Sequence, residues 1–169
     1  MSQTSFNKRV EPFPPSAISY LRTQFRCGLS KAVSSEIEPA QALLIFSLTY
    51  GAGARPIELA KMRIEHLIGV DGGPADKVRF DSSVTKHGTS RRVLMHADVR
   101  NDLLAFRHFF PDEEHVAFVP PTKRRPGRTH LPASALMLWF RACLKEAGLN
   151  GYSINSGRKT FLETQREEE

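Results

Sequence analysis

The chain has two cysteines, one tryptophan and three tyrosines in 169 residues, and it has no long uninterrupted hydrophobic run. Cys27 and Cys143 lie far apart, without a Cys-x-x-Cys pair or a histidine at ligand spacing. Neither a disulfide framework nor a zinc site is indicated, and the sequence calls for no cofactor. The six histidines show no metal-ligand grouping either. The longest apolar stretch, Ala42 to Phe46 and onward to Ala54, is broken by Ser47, Thr49, Tyr50, Gly51 and Gly53, too short and too polar to span a bilayer. At the N-terminus Lys8 and Arg9 are followed by Glu11-Pro12-Phe13-Pro14-Pro15 in place of an apolar run, so it is not a signal peptide. The expectation is a soluble cytoplasmic protein without a membrane partner. Acidic residues are the scarcer charge, 18 against 24 Lys and Arg, and the net charge of +6 favours an anionic partner. A solvated basic surface would produce the same balance.

The length suits one globular domain with a real core. Residues 1–15, polar and proline-rich, read as a flexible leader, residues 16–166 as the domain, and 167–169 as an acidic tail. From Ser16 the apolar residues Ile18, Leu21, Phe25, Leu29 and Val33 recur at helical spacing, predicting one amphipathic helix. Pro39 suits the first turn of a second helix, apolar on every face through Ala42–Phe46 and ended by Gly51 and Gly53. Pro56 restarts a helix and pushes the preceding Arg55 out of helical geometry. A cation at a helix entrance stands against the macrodipole, so an anion partner explains it economically.

Lys77–Phe80, the turn-rich Lys86-His87-Gly88-Thr89-Ser90 and Arg91–Met95 read as two or three short strands around a tight turn, with Lys86 towards its tip. Asp98 starts a helix with Val99, Leu103, Phe106 and Phe110 on one stripe, and Pro111 stops it. Lys123, Arg124, Arg125 and Arg128 form a basic cluster in a Pro- and Gly-marked loop. Pro132 opens a helix carrying Leu136, Trp139, Phe140, Cys143 and Leu144, capped by Gly148, and a last helix of about three turns starts near Ser153.

Three separated cations stand out: Arg55 in Gly-Ala-Arg-Pro-Ile-Glu-Leu, Lys86 in Val-Thr-Lys-His-Gly, and Arg158 in Asn-Ser-Gly-Arg-Lys-Thr-Phe. Two guanidinium forks can stabilise a crowded phosphoryl group through bidentate, charge-assisted bonds. In order and spacing these segments, over roughly residues 12 to 164, resemble the catalytic domain of the tyrosine recombinase or phage-integrase family. The resemblance implies an α+β, mainly α fold with a small antiparallel sheet, and DNA breakage and rejoining in integration or recombination. It implies that Arg55 and Arg158 grip the scissile phosphate, that Lys86 protonates the departing 5′ oxygen, and that Glu58 orients Arg55 by an ion pair. Lys123, Arg124, Arg125, Arg128 and Lys159 then become DNA-backbone contacts. The implied partners are double-stranded DNA and other recombinase protomers.

Two departures limit the expected activity. Where the family's second box commonly begins with His, this chain has Asn155, which can donate a hydrogen bond but cannot shuttle a proton near neutral pH. Tyr20, Tyr50 and Tyr152 all precede Arg158, so none matches the nucleophile's place. The reading is of a domain stopped short of its nucleophile, inactive alone. A catalytically dead DNA-binding regulator of recombination sites, or a structural helical domain with incidental cations, are the alternatives. Separately, each signal has a plain explanation: Asn155 as a helix cap, Lys86 as a solvated turn residue, Arg158 paired with the acidic tail.

Overall fold

The structure, a computed structural model, describes residues 9–85, 87–112, 116 and 130–169. Among these the order is α1 (Pro15–Arg26), α2 (Leu29–Val33), α3 (Pro39–Ala52), α4 (Pro56–Lys61), β1 (Lys77–Phe80), β2 (Arg91–Leu94), α5 (Ala97–Phe109), α6 (Ala133–Glu146) and α7 (Ile154–Glu167), with a 3₁₀ turn at Ile64–His66. The fold is mainly helical with a two-stranded antiparallel sheet. Lys86 and the cluster Lys123, Arg124, Arg125 and Arg128 lie outside the described residues.

Helix α3 is the spine. Every residue from Ala40 to Ala52 is buried, because α1, α5 and α7 surround it. A helix apolar all round has no solvent face to offer and must sit in the middle of a bundle. Aromatic rings fill the space beside it: Phe46 meets Phe13 edge-on at 5.7 Å, Phe25 at 5.6 Å and Phe140 at 5.8 Å. Such offset and edge contacts add to the burial of the rings themselves.

Two sequence expectations change here. The first amphipathic stretch is two helices, because Gly28 adopts φ 98° and breaks the chain between α1 and α2. Its periodicity runs on because both pieces turn an apolar side to the same core. The flexible leader also fails for Phe13, which is 2 % exposed and stacks on Tyr152 at 5.2 Å. Thr160 Oγ1 accepts from Phe13 N at 2.8 Å, and it lies 3.3 Å from Phe13 O. Proline spacing around one phenylalanine gives no periodic signal, yet one buried ring is enough to fix the segment.

A buried polar network ties α1, α3 and α5 together. Arg22 donates both guanidinium nitrogens to Asp102, at 2.7 and 2.8 Å, and donates to Tyr50 Oη at 3.0 Å. Tyr50 Oη donates to Asp98 Oδ2 at 2.6 Å. Burial works against the Arg22 charge, but the Asp102 hydrogen bonds, the Tyr50 hydroxyl and the Asp102 and Asp98 carboxylates outweigh it and hold its pKa above the ordinary value. The pair stays ionised because each charge finds its fork-to-fork partner.

Candidate phosphate site

The site is built where α3 ends. Gly53 caps the helix with φ 65°, and Pro56 starts α4 two residues after Ala54, which leaves Arg55 extended at the helix entrance. Glu58, fully buried, reaches back and accepts from Arg55 N at 2.8 Å. The acidic side chain thereby satisfies one of the first-turn amides and favours the positive end of the helix.

The sequence expectation that Glu58 pairs with the Arg55 side chain is corrected. Its carboxylate takes the Arg91 guanidinium in a two-pronged bridge, 2.5 Å from Nη1 and 2.9 Å from Nη2. Arg91 projects from β2 opposite Phe80 and lies 3.9 Å above that ring. Cation–π contact and the carboxylate fork hold it from two directions. Burial alone would raise the Glu58 pKa, but the Arg91 bonds, the Arg55 amide and both arginine charges press it below the usual carboxylate range. Arg91 was invisible to motif reading, where it passed as one residue of a strand. The available signal was its register: an arginine on the inward side of a hairpin needs a buried acceptor.

Arg158 comes from the opposite side on α7 and donates to Gly53 O at 2.5 Å, the carbonyl that Arg91 Nη2 also approaches at 3.4 Å. Burial, then the charges of Arg55 and Arg91, hold the Arg158 pKa below its ordinary value, with Glu58 opposing them. Three arginines therefore cluster around a single carboxylate, which the Arg91 guanidinium alone engages directly. Neither Arg55 nor Arg158 has a carboxylate within ion-pair distance among the described residues, and the guanidinium of Arg55 has no hydrogen-bond partner there. Pairing of Arg158 with the acidic tail is not what the structure shows.

Close helix packing sets where Arg158 can be. A methyl group on Gly157 would sit 2.5 Å from Thr49 Cβ and 3.1 Å from its carbonyl carbon, so only glycine lets α7 lie this near α3. A methyl on Gly53 would meet the Phe161 ring, 2.9 Å from Cε1. Ser153, not Asn155, is the N-cap of α7, and Ser156 Oγ accepts from Ser153 N at 3.0 Å. Asn155 is exposed in the first turn, one turn before Arg158, and lines an open cleft of about 890 Å³ with Ser134, Arg141 and Tyr152. Lys159 is 4.0 Å from Glu163. No group of His, Cys, Asp or Glu among the described residues could hold a metal ion.

Two solved structures share this architecture. The chain aligns with the XerA recombinase over 94 % of its own length and 51 % of that chain, with a TM-score of 0.64 and 15 % identity. It aligns with an integrase from mycobacterium phage Brujita over 90 % of its length and 44 % of that chain, with a TM-score of 0.56 and 20 % identity. The fold is tyrosine recombinase and integrase-like. No family model matches the sequence, and no curated protein matches it. The chain spans about half the length of these two structures.

Within this recombinase-like fold the three tyrosines have different surroundings. Burial, then the hydrogen bond to Asp98, pushes the Tyr50 pKa far above the phenol's usual value. Tyr152 is stacked on Phe13, and Tyr20 stands 46 % exposed on α1. No helix among the described residues is long and apolar enough to cross a membrane.

Proposed function

We propose that this chain is a DNA-binding, site-specific recombinase or integrase-like domain whose Arg55 and Arg158 grip a DNA phosphate. The observation that carries the reading is the unbalanced cluster at the end of α3. Arg91 consumes the two carboxylate oxygens of Glu58, so Arg55 and Arg158 are left with positive charge and open donors. A phosphate oxygen supplies the missing acceptor, and preorganised guanidinium groups bind it without reorganisation when charge builds up. Glu58 has the role of a positioning residue, holding the Arg55 backbone and the Arg91 fork. Asn155, one turn from Arg158, donates its amide to a neighbouring phosphate oxygen, and Lys86 retains the proton-donor role that the family resemblance gives it. Lys159, Lys123, Arg124, Arg125 and Arg128 contribute backbone contacts of little base specificity.

Cutting is a separate matter. The 169 residues, acting alone, bind the phosphate and do not cleave it, since Tyr50 is locked in the Arg22 network and Tyr152 is packed on Phe13. The test is duplex binding by fluorescence anisotropy, followed by trapping on a nicked suicide substrate. Wild type binds with an affinity that falls as salt rises, and Arg55→Ala with Arg158→Ala loses about two units of salt slope. Salt-independent or absent binding would leave the cations incidental. A covalent adduct of the wild-type chain on the nicked substrate would overturn the non-cleaving part.

A further inference from the structure

Side chains alternate across a strand, so Arg91 and Arg92 leave β2 on opposite sides of the hairpin. Arg91 goes inward to Glu58, whereas Arg92 is exposed on the outer side. There the register places it directly opposite Arg79, with Lys77 two residues along β1 on the same face. Like charges facing each other across a ladder destabilise the sheet. Neither arginine has a carboxylate within ion-pair distance among the described residues. Arg79 donates to the backbone carbonyl of Glu65, while Arg92 and Lys77 have no side-chain partner among the described residues. Two carboxylates border the patch: Glu65, which lies 3.7 Å from Arg63, and Asp76. The three cations line a concave surface of about 680 Å³ together with Ile68, Val70 and Ala75.

We infer that the outer face of the β1–β2 hairpin is a second phosphate-contact surface, in which Lys77, Arg79 and Arg92 hold the backbone of the same DNA duplex that the inner site grips. The inference rests on the proposed function. The DNA then meets two sets of cations: Arg55 at the start of α4 and Arg158 on α7 take one phosphate, and the outer face of the hairpin takes another. The like-charge pair makes sense in this setting, since a phosphate between Arg79 and Arg92 turns a repulsion into two charge-assisted bonds.

The pairing also provides an unusual experimental signature, in which one substitution stabilises the fold and weakens binding. Arg92→Thr removes the repulsion and keeps a good strand former, so its Tm is expected at or above that of wild type. The plot of log affinity against log salt for a 30-base-pair duplex loses about 0.9 units of slope for Arg92→Thr and about 1.8 for Lys77→Thr with Arg92→Thr. Arg26→Thr, which removes an exposed arginine at the end of α1, is the control for a general loss of charge. A double variant whose slope matches that control overturns the inference. If Arg55→Ala with Arg158→Ala still lowers affinity in that case, the inner site stands and only the outer face falls. A wild-type chain that binds no duplex removes both.

Discussion

Replacing Gly157 with alanine tests the step on which the position of Arg158 depends. In an isolated helix the change would help, by about 1 kcal/mol. Here the new methyl carbon would lie 2.5 Å from Thr49 Cβ, an atom fixed to the backbone of α3, and against Thr49 Oγ1 as well. No rotamer change moves a Cβ. Relief to an ordinary contact of about 3.5 Å requires α7 to withdraw by about 1 Å, and forced overpacking of this kind costs about 3 kcal/mol. The net loss is about 2 kcal/mol, which at a urea slope near 2 kcal/mol/M lowers the midpoint by about 1 M. Withdrawal also takes Arg158 away from Gly53 O, now 2.5 Å distant, so duplex affinity falls under conditions where the variant is still folded. Urea unfolding followed by circular dichroism, with anisotropy on the same samples, reads both effects. Thr49→Ala in the Gly157→Ala background removes the hydroxyl clash but leaves Cβ, and restores less than half of the loss. An alanine variant as stable as wild type would refute the close approach of α3 and α7.

Three further outcomes are expected. Glu58→Gln leaves Arg91 half-paired over a buried acceptor and costs about 3 kcal/mol in urea unfolding at pH 7. Because the Glu58 pKa is depressed on folding, its contribution is complete above the ordinary carboxylate pKa of about 4.3 and is lost as pH falls through the folded value. The gap between wild type and Glu58→Gln is therefore constant from pH 7 to pH 5 and closes in more acidic buffer; a gap that widened below pH 4 would contradict the assignment. Asp102→Ala strands the buried Arg22 charge at a cost of about 3–5 kcal/mol, and Arg22→Met with Asp102→Leu recovers most of it, as thermal melts will report. Cys27 is exposed, while burial pushes the Cys143 thiol up to about 12. A thiol reagent at pH 8 should thus titrate one cysteine in the native protein and two in urea, and two fast thiols would show α6 to be open.

What could be read from sequence was whatever is written locally. Gly53, Arg55 and Pro56 fix a helix end, an extended residue and a helix start within four positions, so the half-buried cation's place at a helix entrance was legible without any tertiary knowledge. The all-apolar α3 announced a central helix for the same reason. Contacts between distant segments left no such trace. Glu58 and Arg91 are 33 residues apart, and Arg158 meets a carbonyl 105 residues earlier, so the true partner of each charge depended on how strands and helices stack. The nearest opposite charge in sequence was the natural choice for Glu58 and was the wrong one. Phe13 escaped for a related reason: a single anchor in a proline-rich segment carries no period, whereas burial needs only a cavity of the right shape.

The enclosure of α3 has a bearing on how the chain is made. Its last residue, Ala52, leaves the ribosome about 115 residues before Glu167, the end of the helix that covers one of its sides. At about 5–20 residues per second, that interval is roughly 6–23 s during which a fourteen-residue apolar segment has no finished shelter. The hydrogen bond from Phe13 N to Thr160 closes only after the chain has emerged as far as Thr160. Nascent-chain lengths ending before Gly157 should therefore recruit hydrophobe-binding chaperones, and the engagement should end within a few residues of the point at which α7 can lie down against Thr49.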